Sequence, residues 1–283
     1  MEIINKIKRH FKQLIGIDNL EFISHAKNYM TAEFFTKALG FISVPIFTRL
    51  LTPDEYGIFA IFTSIITIAT VLLGLNFHGA VTRYYHEKDK NFREFLGSNI
   101  LFLEAFNIIV FLIIFIYREA IAGFLEIRPD LFIIAIAVCV FTIPFKMFMS
   151  YLQTSQQSKR YSFISVTKSI VLSSISIVWV FLLTEERYLG KVYSQLIISV
   201  ILFSIAIYYF IRLGKIVFNF KYIKYSMRYG IPLIPHALSG FILAYFDRIA
   251  VNQIIGSEAT GLYSFAYNVG MIMNVVVMAM NKS

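Results

Sequence analysis

FTRLLTPDEYGIFA, residues 47–60, is the stretch from which the fold of this chain follows. An apolar run ends in Arg49, a short polar turn follows, and a second apolar run begins at Tyr56 and Gly57. A similar stretch, IIGSEATGLYS, occupies residues 254–264 near the other end of the chain. Both stretches have the pattern of two apolar helices joined by a tight polar turn.

One constant offset aligns the two stretches. It places Gly57 on Gly261 and Asp54 on Glu258, and the apolar and aromatic positions around them also coincide. This agreement favours two copies of one helix–turn–helix unit. The alternative is that any two apolar segments joined by a turn resemble each other.

The composition is that of a membrane protein. The chain has 283 residues, is 58% hydrophobic and 15% charged, and has a mean hydropathy of +0.69, whereas soluble domains carry about 25% charged residues. The single cysteine, Cys139, excludes an internal disulfide and a cysteine-based zinc site. The net charge of +9 is explained by the positive-inside rule and gives no reason to expect nucleic acid as a partner.

Eight apolar segments, each near the roughly 20 residues that cross a bilayer, predict an all-α integral membrane fold. Strands are excluded as spanning elements because the segments are continuously apolar. The predicted transmembrane helices are residues 30–51, 57–81, 95–117, 131–151, 163–183, 192–212, 230–253 and 260–280.

Lys and Arg are concentrated in alternate loops, which places the N-terminus in the cytoplasm and both repeated turns outside. Residues 1–29 are interpreted as a cytoplasmic basic amphipathic segment on an anionic leaflet, with a solvated basic tail as the alternative. Residues 30–212 form a predicted first lobe of six helices, residues 213–229 a basic cytoplasmic linker, and residues 230–283 the first two helices of a second lobe. A parallel repeat of this kind is a known transporter design.

TRLLTPDEYG at residues 48–57 and DRIAVNQIIGSEATGLYS at residues 247–264 resemble the polysaccharide-export branch of the MOP (MATE-like) flippase superfamily, the Wzx-type transporters. The resemblance covers nearly the whole chain. It implies a MATE-like two-lobe helical bundle that flips undecaprenyl-pyrophosphate-linked oligosaccharide across the bacterial cytoplasmic membrane by alternating access. Family members carry more helices than the eight found here, so the second lobe is expected to be incomplete, as in a fragment or a truncated product. Other membrane proteins of polysaccharide assembly are further candidate partners.

Charged residues within the predicted helices are candidate functional residues, because each costs about 2.5–3.5 kcal/mol at the bilayer centre. Basic groups suit a pyrophosphate, and their excess disfavours a cationic drug as substrate. The candidate substrate-binding cations are Lys37, Arg49, Lys146, Lys168 and Arg248. The candidate ion-coupling or counter-charge residues are Glu33, Glu104, Asp247 and His236.

Each of these residues also has a structural interpretation. Lys37 and Glu33 form an i, i+4 pair, and Arg49 can snorkel to the interface. Lys146 can bind backbone carbonyls freed by a proline kink. Lys168 can be buried beside a small-residue packing face.

The other candidate residues also have more than one interpretation. Arg248 and Asp247 can simply fix the seventh helix in place. Glu104 is either the counter-ion of a lysine or a proton site.

Prolines are expected to interrupt the first, fourth and seventh helices and so to provide hinges for rocking lobes; static kinks are the alternative. These hinge candidates are Pro45, Pro144, Pro232 and Pro235. No P-loop, GxSxG or metal motif is found, so no catalytic residue, metal or cofactor is assigned. An ion-coupled MATE-type drug exporter is one alternative function. A membrane polymerase or ligase of the same pathway is another, disfavoured because the longest outer loop lacks an acid/base pair.

Overall fold

The computed structural model describes residues 17–87, 91–215 and 217–281, and every element in these ranges is helical. Eleven α-helices and one 3₁₀ turn follow one another along the chain. They are α1 Ile17–Leu50, α2 Pro53–Gly74, α3 Phe77–His86, α4 Phe92–Ile116, α5 Arg118–Phe124, α6 Pro129–Thr154, α7 Ser158–Leu182, α8 Tyr188–Leu213, α9 Phe220–Gly230, a 3₁₀ turn Ile231–Leu233, α10 Ile234–Ile254 and α11 Ser257–Asn281.

The TPDE sequence at the first turn fixes the start of α2. The Thr52 hydroxyl accepts a hydrogen bond from the Glu55 backbone N–H at 3.2 Å, and the Glu55 carboxylate accepts one from the Thr52 N–H at 3.0 Å. This reciprocal pair is a capping box, and Pro53 occupies the first helical turn, where no backbone donor is needed.

Seven helical segments in the described part of the chain are long and apolar enough to cross a membrane. They coincide with the first seven predicted helices, and α11 lies where the eighth was predicted. The predicted all-α integral membrane fold is therefore confirmed. The seven segments are Ser24–Leu50, Pro53–Gly74, Phe92–Ile116, Pro129–Thr154, Ser158–Leu182, Tyr188–Leu213 and Phe220–Ile254.

Several boundaries differ from the sequence prediction. Helix α1 begins at Ile17, so part of the predicted N-terminal amphipathic segment continues the first transmembrane helix; residues 1–16 of that segment lie outside the described residues. The predicted second helix is divided into α2 and α3 by Leu75 and Asn76, both in the left-handed region with φ of 46° and 52°. The predicted linker contains a helix of its own, α9.

The break between α2 and α3 packs against Gly230. A Cβ on Gly230 would collide with the carbonyl oxygen of Leu75. The junction of α2 and α3 therefore lies against the junction of α9 and α10, and only glycine fits between them.

Helix α6 lies at the centre of the first six membrane helices and packs against α2, α3, α4, α7 and α8, while α1 packs along α7. The largest fully buried side chains include Phe62, Phe77, Phe95 and Phe148. In a bilayer such packing stabilises the bundle through van der Waals contact, because lipid tails are as apolar as the core. The other side of α2 contacts α10 and α11.

The prolines interrupt fewer helices than predicted. Pro45 and Pro144 lie inside helices that run unbroken from end to end, so neither helix is divided there; that these prolines bend their helices and act as hinges stays a prediction. Membrane helices tolerate proline because neighbouring groups satisfy the freed carbonyl. Pro232 lies in the 3₁₀ turn and Pro235 in the first turn of α10, where the seventh helix is interrupted as expected.

Candidate functional site

The two repeated hairpins meet where α2 and α11 begin. A Cβ on Gly57 would collide with the carbonyl oxygen of Ser257 and lie 2.9 Å from the Gly261 nitrogen. A Cβ on Gly261 would collide with the carbonyl oxygen of Pro53 and lie 3.1 Å from the Gly57 nitrogen. The offset that aligns the repeats maps each of these positions onto its partner. The two helices thus cross reciprocally, backbone against backbone, which only small residues allow.

Polar side chains reinforce this crossing. The Ser257 hydroxyl donates a hydrogen bond to Asp54 where α2 and α11 begin. About three helical turns further along α11, the Asn268 amide donates to the Tyr56 hydroxyl at 2.9 Å. Both bonds join the first hairpin to α11, so the crossing is held by side chains as well as by backbone proximity.

Arg248 lies buried beside the crossing. Its side chain is 6% exposed, and the guanidinium carbon lies 4.9 Å from the ring centroid of Tyr245 and 4.8 Å from that of Tyr267. Its Nε atom has no hydrogen-bond partner among the described residues. A guanidinium between two rings is stabilised by cation–π attraction, and its unpaired donor can bind an anionic oxygen.

Asp247 does not form an ion pair with Arg248 within the described residues. One of its oxygens accepts the Tyr263 hydroxyl of α11, and the other accepts the Arg248 backbone N–H at 2.8 Å. Asp247 therefore ties α10 to α11 and leaves the guanidinium charge uncompensated. The hydrogen bond between Asp247 and Tyr263 holds α10 in place. Fixing this helix is the structural role considered for Asp247 from the sequence.

Lys37 and Arg49 lie on the exposed side of α1. Lys37 pairs with Glu33 at 2.8 Å, and both side chains remain more than half exposed. Arg49 is exposed in the last turn of α1, where the helix dipole favours a cation. The predicted i, i+4 pair is thus present, on a surface that has no covering helix in the described part of the chain.

Lys146 and Lys168 lie inside the bundle instead. The Lys168 ammonium of α7 lies 5.3 Å from the ring centroid of Phe145 in α6. Lys146 is half-buried and close enough to His78 of α3 to interact with it electrostatically. Lys168 therefore contacts a neighbouring helix, which is the packing role considered for it.

Glu104 and Asn107 form a polar step on the inner face of α4. One carboxylate oxygen of Glu104 is buried, and Asn107 is 0% exposed; neither that oxygen nor either amide atom has a hydrogen-bond partner among the described residues. No ion pair joins Glu104 to a lysine there. An unpaired buried polar atom lowers stability by about 1–3 kcal/mol. Glu104 and Asn107 are therefore a candidate site for binding a proton or a water molecule.

Lys191 is a half-buried cation that lies just before the predicted sixth helix, residues 192–212. Its ammonium lies 3.8 Å from the ring centroid of Phe59, 4.1 Å from that of Phe47 and 5.5 Å from that of Tyr56. It sits one turn after Arg187, whose backbone N–H donates to Glu55 at 2.6 Å. Lys191 directly precedes the apolar run that begins at Val192, and this position is the sequence signal that could have placed it in the same helix.

The predicted site residues therefore fall into separate groups. Arg248 and Asp247 lie at the crossing, Lys37, Arg49 and Glu33 on the exposed face of α1, and Lys146, Lys168 and Glu104 within the bundle. His236 is exposed in the first turn of α10, one residue after Pro235. Nothing in the described residues brings all five cations into one cavity, and no group of three or more metal-ligating side chains occurs there.

A family described as polysaccharide biosynthesis protein matches residues 26–283, nearly the whole chain. The Lsg locus putative protein 1 of Haemophilus influenzae is 24% identical over 268 residues, which are 90% of this chain and 63% of the relative. An uncharacterized membrane protein of the same organism is 22% identical over 277 residues, or 93% and 64%. The succinoglycan biosynthesis transport protein ExoT of Rhizobium meliloti is 22% identical over 250 residues, or 86% and 49%.

The chain thus spans between 49% and 64% of the length of these relatives. Two solved structures share its fold. A crystal structure of MATE in complex with MaL6 superposes with a TM-score of 0.64 and 17% identity, over 92% of this chain and 62% of that chain. An inward-facing multidrug resistance MATE family transporter of the MOP superfamily gives a TM-score of 0.54 and 17% identity, over 83% and 58%.

These matches confirm the resemblance that residues 48–57 and 247–264 suggested. The family match covers both stretches, and the shared fold is that of the MATE transporters. The chain is therefore a multi-pass helical membrane protein with a MATE-like fold, and it belongs to the polysaccharide biosynthesis protein family.

Proposed function

We propose that this chain forms part of a flippase that moves polyprenyl-pyrophosphate-linked oligosaccharides across the bacterial cytoplasmic membrane by alternating access. The N-terminus lies in the cytoplasm, and the turns before α2 and α11 face outside. The name of the relative from Rhizobium meliloti, a succinoglycan biosynthesis transport protein, supports a transporter for polysaccharide precursors over an enzyme.

The observation that carries the proposal is Arg248, a buried guanidinium that forms no ion pair among the described residues and lies at the crossing of the two hairpins. A pyrophosphate brings negative charge into a medium of low dielectric constant, where its electrostatic attraction to a cation is strongest. The planar donors of arginine fit phosphate oxygens. Arg49, in the exposed last turn of α1, adds positive charge along the same hairpin, and Lys37 lies on the same exposed side in its ion pair with Glu33.

In this mechanism residues 30–212 move as one lobe, and α10 and α11 belong to the other. The reciprocal contact of Gly57 with Gly261 closes the outer side while the lipid-linked sugar enters from inside. Separation of α2 from α11 would then open the outer side, and the 3₁₀ turn at Ile231–Leu233 is the place where the second lobe can pivot.

The test replaces cations in the full-length gene product and measures surface polysaccharide in cells that lack the native gene. The test variant carries Lys37→Gln, Arg49→Gln, Lys146→Gln and Arg248→Gln. A matched control removes four exposed charges through Lys27→Gln, Arg118→Gln, Lys159→Gln and Arg160→Gln. We expect the first variant to insert normally and export no polysaccharide, and the control to export it. Normal export by the first variant would reject the cationic site.

A further inference from the structure

Helix α9 has two sharply different faces. Tyr222, Ile223 and Ser226 are buried, whereas Lys221, Lys224 and Arg228 are exposed. At 100° per residue, the exposed three fall within an arc of about 60°, and the buried three lie on the other side of the helix. The basic residues therefore form one stripe along α9.

The stripe is held rigidly on the bundle. The ring of Tyr84 in α3 lies 5.9 Å from that of Tyr222 and 5.1 Å from that of Tyr225. The Ser98 hydroxyl of α4 donates to the Val217 carbonyl at 2.6 Å and accepts the Asn219 N–H at 3.1 Å. The backbone before α9 and the buried face of α9 are thus both fixed to the first six helices.

The described acidic side chains near α9 form their ion pairs with basic residues outside the stripe. Glu87 pairs with Arg83 at 3.5 Å and accepts the Tyr225 hydroxyl at 2.6 Å. Glu94 pairs with Lys215 at 2.9 Å, and this contact raises the pKa of the Lys215 ammonium. Within the described residues, no acidic group forms an ion pair with the three basic residues of the stripe.

Two exposed aromatic residues lie where α9 begins. Phe218 and Phe220 are each 64% exposed, and aromatic rings beside basic residues are typical of segments that lie at the headgroup layer. Clusters of Lys and Arg next to a transmembrane helix bind anionic lipids. The rings and the uncompensated charges therefore suit the same surface.

We propose that the stripe of Lys221, Lys224 and Arg228 binds the phosphate headgroups of anionic phospholipids, with Phe218 and Phe220 inserted at the edge of the hydrocarbon. This site is separate from Arg248 and does not depend on the proposed transport activity. It fixes the junction between the two lobes to the membrane surface.

The test uses the purified full-length protein in a neutral detergent and measures bound lipid by native mass spectrometry. Phosphatidylglycerol is titrated against phosphatidylcholine. The stripe variant is Lys221→Gln, Lys224→Gln, Arg228→Gln; the matched control, Lys27→Gln, Lys159→Gln, Arg160→Gln, removes the same charge elsewhere. We expect the apparent affinity for phosphatidylglycerol to fall on the order of 100-fold in the stripe variant and little in the control.

Three outcomes would overturn the proposal. In the first, the stripe variant binds phosphatidylglycerol as tightly as the unaltered protein does. In the second, the control loses as much affinity as the stripe variant, which would mean that binding depends on total charge and not on a specific site. In the third, farnesyl pyrophosphate displaces the bound phospholipid at stoichiometric concentration, which would assign the stripe to the pyrophosphate substrate. A Lys221→Arg, Lys224→Arg variant keeps the charge and should retain binding, which separates loss of the site from loss of folding.

Discussion

Gly57 and Gly261 lie in reciprocal contact, each so close to the backbone of the other helix that neither position has room for a Cβ. These are the two glycines that one offset aligns in the sequence. Residues that occupy equivalent places in two repeats meet across an axis that relates the repeats. The contact is therefore what a parallel repeat of two hairpins would produce, and it gives the aligned glycines a physical reason.

Replacing Gly57 by alanine should destabilise the protein by about 1–3 kcal/mol, because the new methyl group overlaps the Ser257 carbonyl. Gly40→Ala is the matched control, since a Cβ there would meet nothing within 4 Å and alanine is the better helix former. Thermal unfolding in detergent measures the difference. Equal melting temperatures for the two variants would show that α2 and α11 do not cross at these glycines.

Replacing Arg248 by lysine should abolish export while lowering stability by only about 1 kcal/mol. The lysine keeps the charge but loses the flat stacking between Tyr245 and Tyr267 and the forked donors that suit phosphate. Export is measured as surface polysaccharide and stability as the melting temperature of the purified variant. Full export by Arg248→Lys would mean that a point charge is sufficient at this position.

Glu104→Gln should leave the bundle folded and remove any dependence of export on the proton gradient. The amide imitates a protonated carboxyl and preserves the polar step with Asn107. Labelling with a carbodiimide, which attacks protonated carboxyls in apolar surroundings, measures the site directly by mass. Glu33→Gln is the control, since its exposed ion pair with Lys37 should contribute little to the labelling; unchanged labelling of Glu104→Gln would exclude this site.

Replacing Lys191 by methionine should destabilise the end of the bundle where α2 begins by up to about 2 kcal/mol, the range of a desolvated cation–π contact. The long apolar side chain of methionine keeps most of the packing against Phe47 and Phe59, so the loss reports the charge. Lys191→Arg should be tolerated better because it keeps the cation. The melting temperatures of both variants test this, and a methionine variant as stable as the unaltered protein would contradict it.

The sequence predicted a polar turn after Arg49 and charged residues within the helices, but it did not separate those charges by environment. Lys37 and Lys168 look alike as lysines in apolar runs. The first is exposed in an ion pair and the second contacts the ring of Phe145. Periodicity reports which residues share a face of one helix, and it does not report what covers that face.

The break between α2 and α3 and the surroundings of Lys191 could not be predicted from the sequence, for a related reason. The break falls at Leu75 and Asn76, directly after Gly74, and the Leu75 carbonyl lies against Gly230, far away in the chain. Lys191 falls one residue before the predicted sixth helix, and only its packing against α1 and α2 reveals the rings around it. Both features depend on contacts between distant segments.

By itself the sequence determined that this is an all-helical membrane protein, where its membrane helices lie and that it resembles the polysaccharide-export transporters, and it predicted a repeated hairpin. Those properties depend on apolar length, local turn chemistry and aligned residues, all of which are local along the chain. Only the tertiary structure decided that the two hairpins cross at Gly57 and Gly261, that Arg248 is enclosed by two tyrosines, and that the stripe on α9 has no acidic partner within the described residues. Burial and pairing are properties of packed helices, and a linear pattern does not contain them.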